Sequence, residues 1–203
     1  MNLNLLSRPL LVITAALAFT LGCSMPKVRY YTLEFPHAAR HATPAIPRHV
    51  TIQRFRAAQV LMDDRIVYRE NVNEVNFYEY QRWASPPADL VTGYFLHCLK
   101  DGGTYAHVSS YSDGGQSDFT LQGRVHRFEE VDRGKEVFAS VALEVELLET
   151  KTRASVWRGE AECTRPLESR DMTGVVRGIY QCLEETTMKL LADMAKQIAN
   201  PKG

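Results

Sequence analysis

Residues 119–149 read FTLQGRVHRFEEVDRGKEVFASVALEVELLE. Phe119, Leu121, Gly123 and Val125 alternate with polar residues, the period-two pattern of a strand with one buried face. Asp132-Arg133-Gly134-Lys135 has the composition of a hairpin connection. Val141, Leu143, Val145 and Leu147 then line one face, opposed by Glu144 and Glu146 on the other. An antiparallel sheet packed on one side and wet on the other gives this pattern.

Working outward, Ala154 to Ala161, centred on Trp157, reads as the next strand. A long helix follows over Met172 to Ala199. Its apolar stripe is Met172, Val175, Val176, Ile179, Leu183, Leu190, Leu191, Met194 and Ile198, and it stops before Pro201. Upstream, Tyr105 to Tyr111 is a strand followed by a turn at Asp113-Gly114-Gly115. Pro86-Pro87 opens a shorter helix whose stripe is Leu90, Val91, Tyr94, Phe95, Cys98 and Leu99, and Asp101-Gly102-Gly103 stops it. Before it come four strands: Arg29–Phe35, one marked by Val50 and Ile52, Arg65–Arg69 after a turn at Met62-Asp63-Asp64, and Val75–Tyr80. Pro36 to Arg48 reads as a loop. The order β-β-β-β-α-β-β-β-β-α predicts an α/β single domain: a mixed β-sheet with helices packed against it and a long C-terminal helix.

The 203 residues suit one domain with an appendage, and 24 Lys+Arg balance 24 Asp+Glu. That balance leaves no electrostatic footprint for nucleic acid. Four Cys are too few for a disulfide scaffold. No repeat is visible.

The first 22 residues read as an export signal. Arg8 precedes an uncharged run from Leu10 to Leu21, which has the length of a signal-peptide core and is too short to span a bilayer. Thr20-Leu21-Gly22-Cys23-Ser24 resembles a lipobox, with Thr20 standing where Leu is commonest. The resemblance implies cleavage between Gly22 and Cys23 and lipidation of Cys23, the acyl chains being the only attached group expected. Residues 1–22 are then a lipoprotein signal peptide, 23–28 a lipidated tether, and 29–203 the domain. By the enterobacterial sorting rule, Ser24 after the lipidated Cys favours the outer membrane.

A search for catalytic chemistry comes back empty. There is no Gly-x-Ser-x-Gly, no Gly-x-Gly-x-x-Gly and no Walker A run. His37 and His41 sit four apart in a Pro-flanked loop with no third ligand, so no metal site is expected. Cys98 lies on the apolar stripe beside His97 and reads as a buried, inert thiol. Cys163 and Cys182 are free to pair in an oxidising compartment, but spacing alone does not fix their separation. Asp63-Asp64 and Glu129-Glu130 read as solvated surface carboxylates.

The distinctive stretch is aromatic. Arg65-Ile66-Val67-Tyr68 leads to Asn76-Phe77-Tyr78-Glu79-Tyr80-Gln81-Arg82-Trp83-Ala84, then Pro86-Pro87. With Tyr31-Thr32-Leu33 early, the Gly123, Val125, Phe128, Glu129 set late and Trp157 beyond it, this resembles the ABC-type transport auxiliary lipoprotein family, the PqiC-like intermembrane transport lipoproteins. The family commonly continues Glu-Pro-Leu where this chain has Ser85-Pro86-Pro87. The resemblance implies a non-enzymatic periplasmic accessory lipoprotein, anchored in the outer membrane and docked to the MCE-domain component of an ABC/MCE-type system. Its cargo would be phospholipid or another hydrophobic solute, with ATP hydrolysed on another chain and homo-oligomerisation left open. Trp83 reads as the filler beneath the helix start. Tyr78, Tyr80 and Arg82 share one strand face by the period-two rule and are the candidate partner-binding residues, though the tyrosines fit sheet packing as well. A free-standing periplasmic lipoprotein enzyme and a structural cell-envelope lipoprotein are the competing readings.

Overall fold

A computed structural model describes residues 26–35 and 46–199. The expected signal peptide at residues 1–22, Cys23, His37 and His41 lie outside the described residues. Within them the strands are β1 (Arg29–Tyr31), β2 (Ile46–Ile52), β3 (Arg56–Ala57), β4 (Arg65–Arg69), β5 (Asn76–Trp83), β6 (Tyr105–Ser110), β7 (Phe119–Arg133), β8 (Glu136–Glu149) and β9 (Ser155–Pro166). The helices are α1 (Pro87–Asp101), between β5 and β6, and α2 (Met172–Ala199). The fold is the expected single domain of mixed sheet and packed helices.

The 15-residue strand β7 organises the sheet. One of its edges pairs antiparallel with β8 along the whole length, and β8 pairs antiparallel with β9. The other edge carries three partners in succession, all parallel: β2 at Val50–Ile52, β3 at Arg56–Ala57 and β4 at Val67–Arg69. β6 extends the sheet beyond β2, and β5 then β1 extend it beyond β4. A strand has only two edges, so dividing one among three partners makes β7 the spine from which two arms spread.

Both helices cover one face. Gly123 is the point where Phe55 crosses closest to β7: a Cβ there would stand 2.6 Å from the Phe55 ring. Phe55 stacks in turn on Phe95 of α1, with centroids 4.9 Å apart. Tyr94 of α1 meets Tyr180 of α2 edge-on at 5.9 Å. Leu121, Val125, Phe128, Val141, Leu143, Val145 and Leu147 are buried beneath them. Pro87 starts α1 with its fixed φ, and Asp89 sits in the first turn where the helix dipole favours a carboxylate. Asp171 caps α2 by accepting from the Gly174 amide at 2.8 Å.

The departures from expectation have local causes. β1 ends at Tyr31 because its ladder partner, β5, ends opposite it at Trp83; Leu33 is nonetheless buried. Ile46–Arg48, expected in a loop, opens β2, and the register shifts around Pro47, which has no amide to donate. β3 is an additional two-residue strand, and β9 runs to Pro166. An extra residue of β7 lies between Val125 and Arg127, so the buried phase passes from odd residues to Phe128 and Glu130. The expectation that Glu129 and Glu130 are solvated is wrong: Glu130, on the shifted phase, is 6% exposed, and Glu129, on the opposite face against Arg69, is 2% exposed.

Candidate interaction surface

The aromatic stretch forms the β4–β5 arm. Arg65 lies opposite Arg82 and Val67 opposite Phe77, so two steps along β4 correspond to five along β5. That irregularity breaks the alternation between Tyr78 and Arg82. Tyr78 turns its hydroxyl to Glu130, donating at 2.8 Å, and its ring packs on Tyr68 at 4.8 Å. Arg82 is held by Asp64 at 2.8 Å. Tyr80 is half-buried. The structure thus places the three candidate residues on one short segment but gives two of them internal partners. Trp83 is fully buried, 5.2 Å from the Phe128 ring, as the sequence predicts.

Two carboxylates anchor this arm to β7. Glu129 accepts from the Arg69 guanidinium at 2.9 Å, with its side chain 3% exposed. Glu130 is pushed above the ordinary carboxylate range by burial, which outweighs the Tyr78 hydrogen bond acting in the other direction. Their partners lie 50 to 60 residues away in sequence, which is why the paired Glu signal gave no hint of them.

The face of the sheet away from the helices is polar. Gln122 and Arg158 both donate to Glu146, at 2.9 and 3.1 Å. Burial tends to raise the Glu146 pKa, but hydrogen bonds from Ser155, Gln122 and Arg158 overcome it and hold the group below its ordinary value. Glu144 meets His126 at 3.3 Å and Arg158 at 3.7 Å. Arg127 pairs with Glu162. Arg54 grips Asp89 from beside β3.

The nearest approach to catalytic geometry is at β2 and β6. The His49 ring lies 2.8 Å from the Ser109 hydroxyl through Nε2 and 2.7 Å from the Gln116 carbonyl through Nδ1. A proton on Nδ1 satisfies the carbonyl, so Nε2 accepts from Ser109. A hydroxyl, an imidazole and an orienting acceptor are the parts of an activated nucleophile. Ser109, however, is buried at 5% exposure and also meets the Thr51 hydroxyl at 3.1 Å. That makes it a cross-strand tie. Among the described residues no group of His, Cys, Asp and Glu is arranged to hold a metal ion.

Cys163 of β9 and Cys182 of α2 are joined in a disulfide, with Cα atoms 5.2 Å apart. It staples the long helix to the sheet. Cys98 is half-buried, and burial raises its thiol pKa to about 11, so it is a poor nucleophile at neutral pH.

The sequence from residue 31 to residue 198 matches the model of the ABC-type transport auxiliary lipoprotein component. The chain belongs to this ABC-type transport auxiliary lipoprotein family. Members are auxiliary components of ABC-type transport, and their lipoprotein character points to the cell envelope. The fold agrees with solved structures. A Xanthomonas campestris protein of the DUF330 family superposes with TM-score 0.73 at 23% identity, covering 86% of this chain and all of that one. An uncharacterized protein superposes with TM-score 0.66 at 14% identity, covering 83% of this chain and 99% of its own. No curated protein matches the sequence. In this auxiliary lipoprotein the family-like residues have structural work: Gly123 admits Phe55, Phe128 packs on Trp83, Glu129 holds Arg69 and Arg82 holds Asp64.

Proposed function

We propose that this chain is a docking subunit, tethered by acyl chains on Cys23 to the outer membrane and engaging the periplasmic MCE-domain component of an ABC-type lipid transport system. The observation that carries the reading is the family match over nearly the whole domain, on a fold that ties Arg69 to Glu129, Tyr78 to Glu130 and Arg82 to Asp64. A docking subunit has no chemical step. It needs an anchor, a rigid body and a surface.

The position of β1 connects anchor and surface. Arg29 pairs with Gln81 and Tyr30 with Arg82. Cys23 stands six residues before Arg29, and an extended chain covers at most about 3.6 Å per residue. An acyl anchor on Cys23 therefore holds the β1 edge, with Tyr80 and Arg82 beside it, within roughly 20 Å of the membrane surface. Tyr30, 63% exposed, belongs to the same edge. Tyr and Arg are enriched where interfaces concentrate their energy. Tyr78 supports the patch from behind through Glu130.

Two measurements test the reading. Cys23→Ala should accumulate as unprocessed precursor or as soluble periplasmic protein; outer-membrane fractionation at unchanged mass would overturn the anchor. Co-purification with the MCE-domain partner should fall in Tyr80→Ala/Arg82→Ala by several hundredfold in affinity, at about 2 kcal/mol for each interface anchor. Equal recovery with a correctly folded variant removes this patch from the interface. Failure of the wild-type chain to recover any MCE-domain protein overturns the docking reading.

A further inference from the structure

Strands β3, β7, β8 and β9 lay a row of charges across the polar face. Arg56 is the ladder partner of Arg124, Arg124 of Glu144, and Glu144 of Glu160. Residues paired across neighbouring strands project from the same face, about 4.8 Å apart. In the row Glu144 is engaged, meeting His126 and Arg158. The positive side is not. Among the described residues, neither the Arg56 nor the Arg124 side chain has an ion-pair or hydrogen-bond partner.

Like charges directly opposite each other destabilise a strand pair. Glu144 stands across the ladder from Arg124 but is engaged by His126 and Arg158, whereas Arg48, Arg54, Arg65, Arg69, Arg82, Arg127, Arg158 and Arg177 each have a carboxylate at ion-pair distance. The two guanidinium groups also share a depression of about 310 Å³, lined by Gln53, Arg54, Gln122, Gly123, Glu144, Glu146 and Arg158 as well; its two carboxylates are already engaged, Glu144 by His126 and Arg158 and Glu146 by Gln122 and Arg158. Two planar forks on adjacent strands suit an anion that presents several acceptor oxygens at once. Phosphate does so tetrahedrally, and Arg recognises it through paired N–H donors. The glutamine side chains add neutral donors at the rim.

We propose that Arg56 and Arg124 form a binding site for a phosphate group, carried by a lipid head group or free in solution. The site stands on this chain's own surface and not on the docking reading, so its test needs no partner.

The full chain, purified from membranes in a maltoside detergent, is titrated calorimetrically at fixed low ionic strength. The probes are inorganic phosphate and sn-glycero-3-phosphoethanolamine, with chloride and a Glu-rich peptide as comparisons. Binding of either phosphate probe, about tenfold weaker in each single Arg→Ala variant and lost in Arg56→Ala/Arg124→Ala, supports the site. Tighter glycerophosphoethanolamine then identifies a head-group site, and equal or tighter phosphate a free-anion site. Circular dichroism of the double variant should match wild type, so that lost binding is not lost fold. Arg56→Lys/Arg124→Lys, which keeps the charge and loses the forks, gives an independent reading with affinity between the two. No phosphate binding, binding unchanged in the double variant, or binding of the Glu-rich peptide alone overturns the proposal.

Discussion

The Tyr78 hydroxyl donates to the carboxylate of Glu130 at 2.8 Å, joining the aromatic β5 arm to the central strand at a buried position. Burial raises the Glu130 pKa in the fold. A carboxyl raised above its unfolded value contributes stability that is complete below the unfolded pKa and is lost as pH rises through the folded one. Glu130 therefore costs stability at neutral pH, and Glu130→Gln should raise the melting temperature at pH 7 while changing it little at pH 4. Tyr78→Phe should act oppositely, costing about 1–3 kcal/mol at pH 7 by leaving a buried acceptor without its donor. Thermal melts of both variants across pH 4–8 check the sign; a Glu130→Gln variant that melts lower at pH 7 than at pH 4 relative to wild type refutes it.

Trp83 is fully buried against Phe128, yet its indole N–H has no hydrogen-bond partner among the described residues. Two substitutions separate these properties. Trp83→Ala should cost about 3–5 kcal/mol in urea denaturation, the range for truncating a buried aromatic. Trp83→Phe should cost clearly less, because it keeps most of the packing and removes an orphan donor. Equal costs would refute the orphan-donor account, and an unchanged midpoint for Trp83→Ala would refute the packing role.

What the sequence disclosed was local. The β7–β8 hairpin carries its period over Phe119–Val125 and Val141–Leu147, α2 carries its own along most of its length, and both are found where the pattern puts them. The chain could not disclose pairings set by contacts between distant segments. β3 is two residues long, too short for any periodicity, and it alone brings Arg56 beside Arg124. The extra residue near His126 inverts the phase of β7 without a Gly or Pro to mark it, so Glu130 reads as solvent-facing until the register is known. The slip on β5 does the same to Tyr78 and Arg82: each residue type suited an exposed patch, while Glu130 and Asp64, their partners, lie 52 and 18 residues away.

The Cys163–Cys182 disulfide closes a loop between residues 19 apart. Restricting the unfolded chain over a loop of this size stabilises the fold by about 3 kcal/mol. Adding a reductant should therefore lower the melting temperature of the wild type and leave Cys163→Ala/Cys182→Ala unaffected, while the reduced wild type approaches the variant. Cys98, with its thiol pKa raised to about 11, should resist alkylation at pH 8 in the folded protein. Identical melting of wild type with and without reductant would refute the contribution of the staple.

The Arg69–Glu129 pair holds the most deeply buried carboxylate of the ion pairs among the described residues, with side-chain exposures of 24% and 3%. The Arg69 Nε–H stands 2.9 Å from both oxygens of the carboxylate. Taking charges out of water costs free energy that only the partner returns, so the pair and its halves should behave differently. Arg69→Met leaves Glu129 buried without its cation and should cost about 3–5 kcal/mol. Glu129→Gln removes the buried charge, keeps an acceptor for Arg69, and should cost less. Arg69→Met/Glu129→Leu replaces both members with apolar side chains and should recover most of the loss. β4 and β7 are adjacent here, Val67 pairing with Glu129, so the coupling acts on the attachment of the whole β4–β5–β1 arm to the sheet. Urea denaturation of wild type, Arg69→Met, Glu129→Leu and Arg69→Met/Glu129→Leu forms a double-mutant cycle, with Glu129→Gln measured beside it. A large negative coupling, with the double variant more stable than Arg69→Met, is expected. Costs that simply add would show that the two charges are independent, and that the arm is held by Trp83 and the aromatic packing alone.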